Sequence, residues 1–302
     1  MGMKLLVIGS LNADLVMNTD ILPKMGETIF GNKFSVICGG KGANQAVAAS
    51  KMGCEVKMIG SVGNDVFGEK LISNLQENNI GTEGIQICDC SSGIAIITVF
   101  NGDNSIILEK GANEKTDVNL IDNNINLLNW ADVILFQFEV PMETVLYAAK
   151  KGKELGKTIV INPAPAKEIP EEIFKYCDII VPNETETKTI TGIDLTPENA
   201  EKSIRFFKDK GCGQAIITLG EKGSVYNDAD ELKQFGIYKT KVVDTTAAGD
   251  SFIASYLTAK CEGKSTDEAI RFASKVSSIV VSREGAASSI PTRKEVEELE
   301  KK

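Results

Sequence analysis

Short runs of aliphatic and β-branched residues alternate with amphipathic stretches along most of the chain, and this alternation is what most restricts the fold. Residues 4–8, 56–60, 133–136, 158–161, 179–181 and 215–219 read as strands buried on both faces, the pattern of a parallel sheet. Residues 43–52, 67–79, 142–155 and 197–210 lie between them with helical spacing, and the last quarter turns helical at 251–261, 266–281 and 293–301. Repeated strand–helix–strand units predict an α/β three-layer sandwich, a mainly parallel central sheet flanked by helices. Two regions break the rhythm. Residues 15–37 alternate like strands around turn signals at Pro23 and Gly26, and residues 92–109 read as a hairpin turning at 101–104. Together they predict a small antiparallel β lid standing off the main body. So small a sheet buries little alone, so it must cover a ligand, a partner subunit or both. With no repeat or flexible linker, residues 1–302 are expected to form one domain with that lid.

Composition removes several chemistries. The chain has no histidine, which excludes Ser-His-Asp and Cys-His catalysis and the HExxH zinc site. Proton transfer falls to Asp, Glu, Lys, Tyr or Cys. The net charge of −9, with Lys and Arg scattered, argues against a nucleic-acid partner. The apolar runs are too short to span a membrane, and residues 3–9 read as a first strand rather than a signal peptide. Seven cysteines with no CxxC pair suggest reduced thiols and a cytoplasmic protein.

The strongest chemical signal is Asp244-Thr-Thr-Ala-Ala-Gly249-Asp250-Ser-Phe, which follows an apolar run and opens a helix. Small residues Ala247, Ala248 and Gly249 let the backbone approach a ligand, and N–H groups at a helix start favour an anion. An acid beside such a site suits phosphoryl transfer, with Asp250 taking the proton from an alcohol. A helix cap is the competing role for Asp250. A second run, Gly39-Gly40-Lys41-Gly42-Ala43-Asn44-Gln45, would let backbone amides and the Lys41 and Asn44 side chains face a small polar ligand. It is not a Walker A loop, because Gly42 stands where Ser or Thr is required.

Other groups cluster at expected strand C-termini, where open α/β sheets bind ligands. Asn183 and Glu186 have the spacing of a capping box and also of a pair holding Mg²⁺ through water; on spacing alone the cap is favoured. Thr218-Leu219-Gly220-Glu221-Lys222-Gly223 fits either a pass beside nucleotide phosphates or a plain hairpin turn. Asn12, Asp14 and Glu139 would add amide and carboxylate groups suited to a polyhydroxylated ligand.

These segments, with Asn162-Pro163-Ala164-Pro165-Ala166, resemble in order those of the ribokinases of the PfkB carbohydrate kinase family, over essentially the whole length. The resemblance implies ATP-dependent phosphorylation of D-ribose at its 5-hydroxyl, with Asp250 as base and the amides of Ala247, Ala248 and Gly249 as anion hole. It implies that Asn12, Asp14, Gly40, Lys41, Gly42, Ala43, Asn44 and Glu139 hold the sugar. Asn183, Thr218, Leu219, Gly220, Glu221, Lys222, Gly223, Gly249, Asp250 and Ser274 would lie at the nucleotide, with Glu186 organising Mg²⁺. A K⁺ site would map to Asp244, Thr246, Val280, Arg283, Gly285 and Ser289, mostly through carbonyls, and the lid would pair two subunits in a homodimer. Ser274 replaces a histidine found in some relatives, and Thr246 an aliphatic residue. The alternatives are another kinase of the family, for deoxyribose, fructose or a nucleoside, and a catalytically silent sugar sensor. A dinucleotide-binding dehydrogenase is disfavoured, because no GxGxxG follows the first strand.

Overall fold

A computed structural model of the protein describes residues 2–300 except 102, 197, 198 and 230. Its strands are β1 (Lys4–Ile8), β2 (Asn12–Asn18), β3 (Lys33–Gly39), β4 (Glu55–Gly63), β5 (Ile80–Cys88), β6 (Gly93–Phe100), β7 (Asp103–Glu109), β8 (Val133–Phe136), β9 (Thr158–Ile161), β10 (Ile179–Ile180), β11 (Gln214–Thr218), β12 (Ser224–Asp228) and β13 (Glu231–Phe235). The helices are α1 (Lys41–Lys51), α2 (Val66–Glu77), α3 (Val118–Asn123), α4 (Ile125–Trp130), α5 (Met142–Glu154), α6 (Glu184–Thr191), α7 (Ala200–Asp209), α8 (Ala248–Cys261), α9 (Thr266–Val280) and α10 (Arg293–Glu300). Position 197, expected to start a helix, position 102 of the hairpin turn, and position 301 lie outside the described residues.

Nine of these strands form the central sheet in the order β13-β12-β11-β10-β9-β8-β1-β4-β5. β1 pairs in parallel with β4 and β8, and parallel pairing continues from β8 through β9 and β10 to β11. β12 and β13 then add an antiparallel edge. Alternate strand residues face opposite sides, so the sheet divides two apolar cores. Leu5 and Val7 pack with α1, α8 and α9 on one face, Leu6 and Ile8 with α3, α4, α5 and α7 on the other. The three-layer sandwich is therefore present. β5 and β13, which the sequence did not announce, are the two edges; β5 buries only Ile80, Gly84 and Cys88, so it carries no continuous apolar run.

The lid is a separate sheet in the order β3-β2-β6-β7. β2–β3 and β6–β7 are antiparallel hairpins, joined by a parallel β2–β6 pair. Its first half begins earlier than expected, at Asn12, and residues 19–32 form no strand; a turn at Lys24, closed by the Glu27 N–H, interrupts them. The apolar residues that suggested strand there, Ile21, Leu22, Met25 and Phe30, are exposed. No helix among the described residues is long and apolar enough to cross a membrane, and the seven cysteines are free thiols.

Candidate active site

A cleft of about 930 Å³ opens between the lid and the C-terminal ends of the central strands. The lid lines it with every second residue, Asp14, Val16 and Asn18 on β2, then Ala95, Ile97 and Val99 on β6, the two-residue period of a strand. On the body side it reaches Gly40, Lys41, Asn44, Glu139, Asn183, Glu186, Thr218 and the segment from Val242 to Asp250.

The sugar-type groups converge where β1 leaves the sheet. β2 begins at Asn12, so Asn12 and Asp14 point the same way into the cleft. Asn12 is flanked across the lid by two glycines, Gly39 on β3 and Gly93 on β6, for a spatial reason. A Cβ at Gly39 would strike the Asp14 carboxylate, and one at Gly93 would strike the Asn12 side chain and Asn113. Asn113, buried and absent from the sequence reading, fixes Asn12: its Nδ2 donates to Asn12 Oδ1 at 2.8 Å, and its Oδ1 accepts from the Leu11 N–H at 2.9 Å. Burial raises the Asp14 carboxyl to about 7, and the Glu139 carboxylate adds to the rise.

Gly40 caps α1 with φ of 90°, a left-handed conformation that glycine reaches without strain. A Cβ there would lie 2.8 Å from the Asn12 nitrogen, so the tight turn also depends on its missing side chain. Glu139 Oε2 accepts the Lys41 N–H at 3.1 Å and the Ser10 hydroxyl, tying the helix start to the loop after β1. Burial alone would lower the Lys41 ammonium, but the Asp250, Glu139 and Glu186 carboxylates outweigh it and raise it. Gly42 and Ala43 lie behind the cleft wall, where their N–H groups donate to Ser10.

Asp250 is the third residue of α8 and only 7% exposed. It does not cap that helix. Ala247 is the cap residue, in a left-handed conformation with φ of 61°, a strained choice for a non-glycine residue. Asp250 Oδ2 instead accepts from Asn44 Nδ2 at 3.3 Å, and Oδ1 from Gln45 Nε2 at 2.8 Å. The acid and the sugar-type groups therefore share one wall of the cleft. The Ala248 N–H is turned 3.3 Å from the Thr245 carbonyl. Helix geometry gives the Gly249 and Asp250 N–H groups no acceptor within α8.

Among the residues expected at the nucleotide, Asn183 and Glu186 do form a capping box at α6: Asn183 Oδ1 accepts the Glu186 N–H, and Glu186 Oε2 accepts the Asn183 N–H. Burial raises the Glu186 carboxyl; the Asn183 N–H and Lys41 pull it down and Asp250 pushes it up. Thr218 bridges to Asn183, so both line the cleft. Leu219, Gly220, Glu221, Lys222 and Gly223 form the hairpin turn between β11 and β12 and, like Ser274 on α9, stand outside the cleft lining.

Of the cation-type residues, Asp244, Thr246 and Gly285 line the cleft, while Val280, Arg283 and Ser289 do not. Asp244 joins two segments, Oδ1 accepting the Thr246 N–H and hydroxyl and Oδ2 the Gly285 N–H. Burial works against its charge, but those donors hold its carboxyl below the usual range. No cluster of three Cys, Asp or Glu side chains among the described residues could hold a metal ion. Mg²⁺ fits this site only when carried largely by phosphates and water, with one carboxylate such as Glu186 supplied by the chain.

The chain matches the pfkB family carbohydrate kinases over residues 3–293. It is 39% identical to the ribokinase of Haemophilus influenzae over 298 residues, 98% of this chain and 97% of that one. It is 37% identical to the deoxyribokinase of Salmonella typhimurium, covering 96% of each. The structure of Arabidopsis thaliana ribokinase complexed with ribose and ATP superposes with a TM-score of 0.92 at 34% identity, over 99% of both chains. The chain belongs to the pfkB family of carbohydrate kinases.

Proposed function

We propose that this kinase transfers the γ-phosphoryl group of ATP to the 5-hydroxyl of D-ribose. One observation carries the reading: a buried carboxylate, Asp250, lies hydrogen-bonded to Asn44 in the cleft that Asn12 and Asp14 also line, beside a helix N-terminus. Asn12, Asp14, Lys41, Asn44 and Glu139 hold the sugar hydroxyls. Their amides and carboxylates can take adjacent hydroxyls in pairs, which favours a vicinal diol over a deoxysugar. Asp250 accepts the 5-hydroxyl proton as the oxygen attacks. The N–H groups at the start of α8, with the positive end of its dipole, offset the charge on the phosphoryl group in flight. Nucleotide enters beside Asn183 and Thr218, and Mg²⁺ at Glu186 would neutralise phosphate charge. K⁺ held by carbonyls around Asp244 and Gly285 would order the loop that presents α8. The exposed lid face would pair two copies, and the enzyme would work in the cytoplasm.

A coupled ADP assay over ribose, deoxyribose, fructose and adenosine tests this, run in K⁺ and in Na⁺ salts. Ribose is expected to give the highest kcat/KM, K⁺ the higher rate, and Asp250→Ala a loss of at least ~10²-fold in kcat. Deoxyribose or adenosine outrunning ribose would sink the substrate assignment; the deoxyribokinase similarity keeps that second reading open. Equal rates in the two salts would remove the cation, and an unchanged kcat would remove Asp250.

A further inference from the structure

We propose that Gln45, backed by Gln137, is the positioning residue that fixes the rotation of the Asp250 carboxylate; the idea rests on the kinase reading above. Gln45 follows Asn44 on α1. One residue along a helix turns about 100°, so Asn44 meets the cleft while Gln45 points behind it, fully buried and outside the lining. A bound sugar or nucleotide therefore has no direct reach to it.

Its carboxamide is saturated in one orientation. Nε2 donates to Asp250 Oδ1 at 2.8 Å and to Asn162 Oδ1 at 3.1 Å, using both hydrogens. Oε1 accepts from Gln137 Nε2. Asn162 is itself oriented by donation to the Val181 carbonyl at 2.9 Å. Flipping the Gln45 amide would turn its oxygen toward two other oxygens, so Asp250 Oδ1 always meets a donor. Gln137 is equally buried, and a Cβ at Gly9 would strike its Oε1, which has no hydrogen-bond partner.

Stability does not account for this chain of amides. Replacing both partners of a buried hydrogen bond by apolar groups of similar shape is close to neutral, whereas an orphaned buried oxygen is a penalty. What the amides do supply is direction. With Gln45 on Oδ1 and Asn44 on Oδ2, the carboxylate cannot swing, and its remaining lone pairs are held toward the cleft. The charged groups facing Asp250 are Lys41 at the start of α1 and Glu186 on α6.

The test compares wild type, Asp250→Ala, Gln45→Met, Gln45→Glu and Gln137→Met in the ADP assay, with thermal melting to confirm folding. Gln45→Met keeps length and volume and removes the donor. Its kcat should fall about tenfold or more, the worth of one hydrogen bond to a charged group, while the sugar KM stays within about twofold. Gln137→Met, which removes the donor to Gln45 Oε1 but leaves Nε2 on Asp250 Oδ1, should fall less. Gln45→Glu puts a second carboxyl against Asp250; the pair then shares a proton at neutral pH. Its kcat should be low at and below neutrality and recover as pH rises, which a purely structural residue would not show. If Gln45→Met fails to fold, the pH recovery of Gln45→Glu decides. An active wild type and an inactive Asp250→Ala, with Gln45→Met unchanged in kcat or changed only in KM, overturn the positioning role alone. An inactive wild type sinks the kinase reading and this one with it.

Discussion

Asp14 carries the most conflicted charge in the cleft. Burial, with Glu139 nearby, holds its carboxyl near 7 against an ordinary value of 3.8. Between those values the folded protein keeps a proton that the unfolded chain has released, so stability falls as pH rises through this window and levels off above it. Asp14→Asn removes the titration. The variant is expected to gain on wild type by about 1–2 kcal/mol at pH 8, after discounting for solvent screening, and to show no such gain at pH 4. Thermal melting at the two pH values checks this, and a gain that is the same at both contradicts it. With Asp14 in the sugar-holding role proposed above, the same variant should also bind ribose more weakly. At this scale the sequence exposed the cleft side chains but not what holds them. Asp250, Asn44 and Asp14 sit in short motifs whose composition already suggests ligand contact. Asn113, Gln137 and the role of Gln45 depend on hydrogen bonds spanning 101, 92 and 205 positions of chain, and no local spacing encodes those.

The first turn of α1 shows how an element can be placed by what its residues lack. Gly42 sits against the loop after β1, where a Cβ would lie 2.6 Å from the Ser10 nitrogen and 2.7 Å from the Gly9 carbonyl carbon. Both are backbone atoms, so neither can swing aside. Gly42→Ala should therefore cost about 1–3 kcal/mol, the usual range for overpacking. Because the strain is relieved by pushing α1 outward, it should also raise the sugar KM through Lys41 and Asn44. Urea unfolding with steady-state kinetics reads both effects, and a fully stable variant with normal KM would show that the loop gives way instead. Helix starts were partly legible: the Asn183–Glu186 box is a local signal, while Ala248 and Gly249, expected just ahead of a helix at 251, form the first turn of α8, which starts three residues earlier. The strained Ala247 cap was not, because alanine gives no hint of a left-handed backbone. The edge strands β5 and β13 escaped notice for another reason. Half solvated, they lack the apolar runs that mark β1 or β8.

On the scale of the whole molecule, the sheet and the lid answer different demands. The parallel strands are covered by helices on both faces and need nothing further. The lid has only one face toward the cleft, and its other face carries exposed Met17, Phe34, Ile96 and Ile107. Ile96 and Ile107 stand directly opposite each other on β6 and β7, so they form one apolar patch rather than two isolated side chains. Such a patch favours association, and a two-fold pairing of lids would bury the same surface on each copy. The protein is expected to sediment at twice its chain mass. Ile96→Glu combined with Ile107→Glu places four carboxylates at the paired face and should give a monomer with unchanged helical content. The monomer should also bind sugar less tightly, because β2 and β6, which carry Asp14 and Ala95 into the cleft, would lose the support of the second lid. A wild type that stays monomeric at all concentrations, or a double variant that remains a dimer, would assign that apolar face another role.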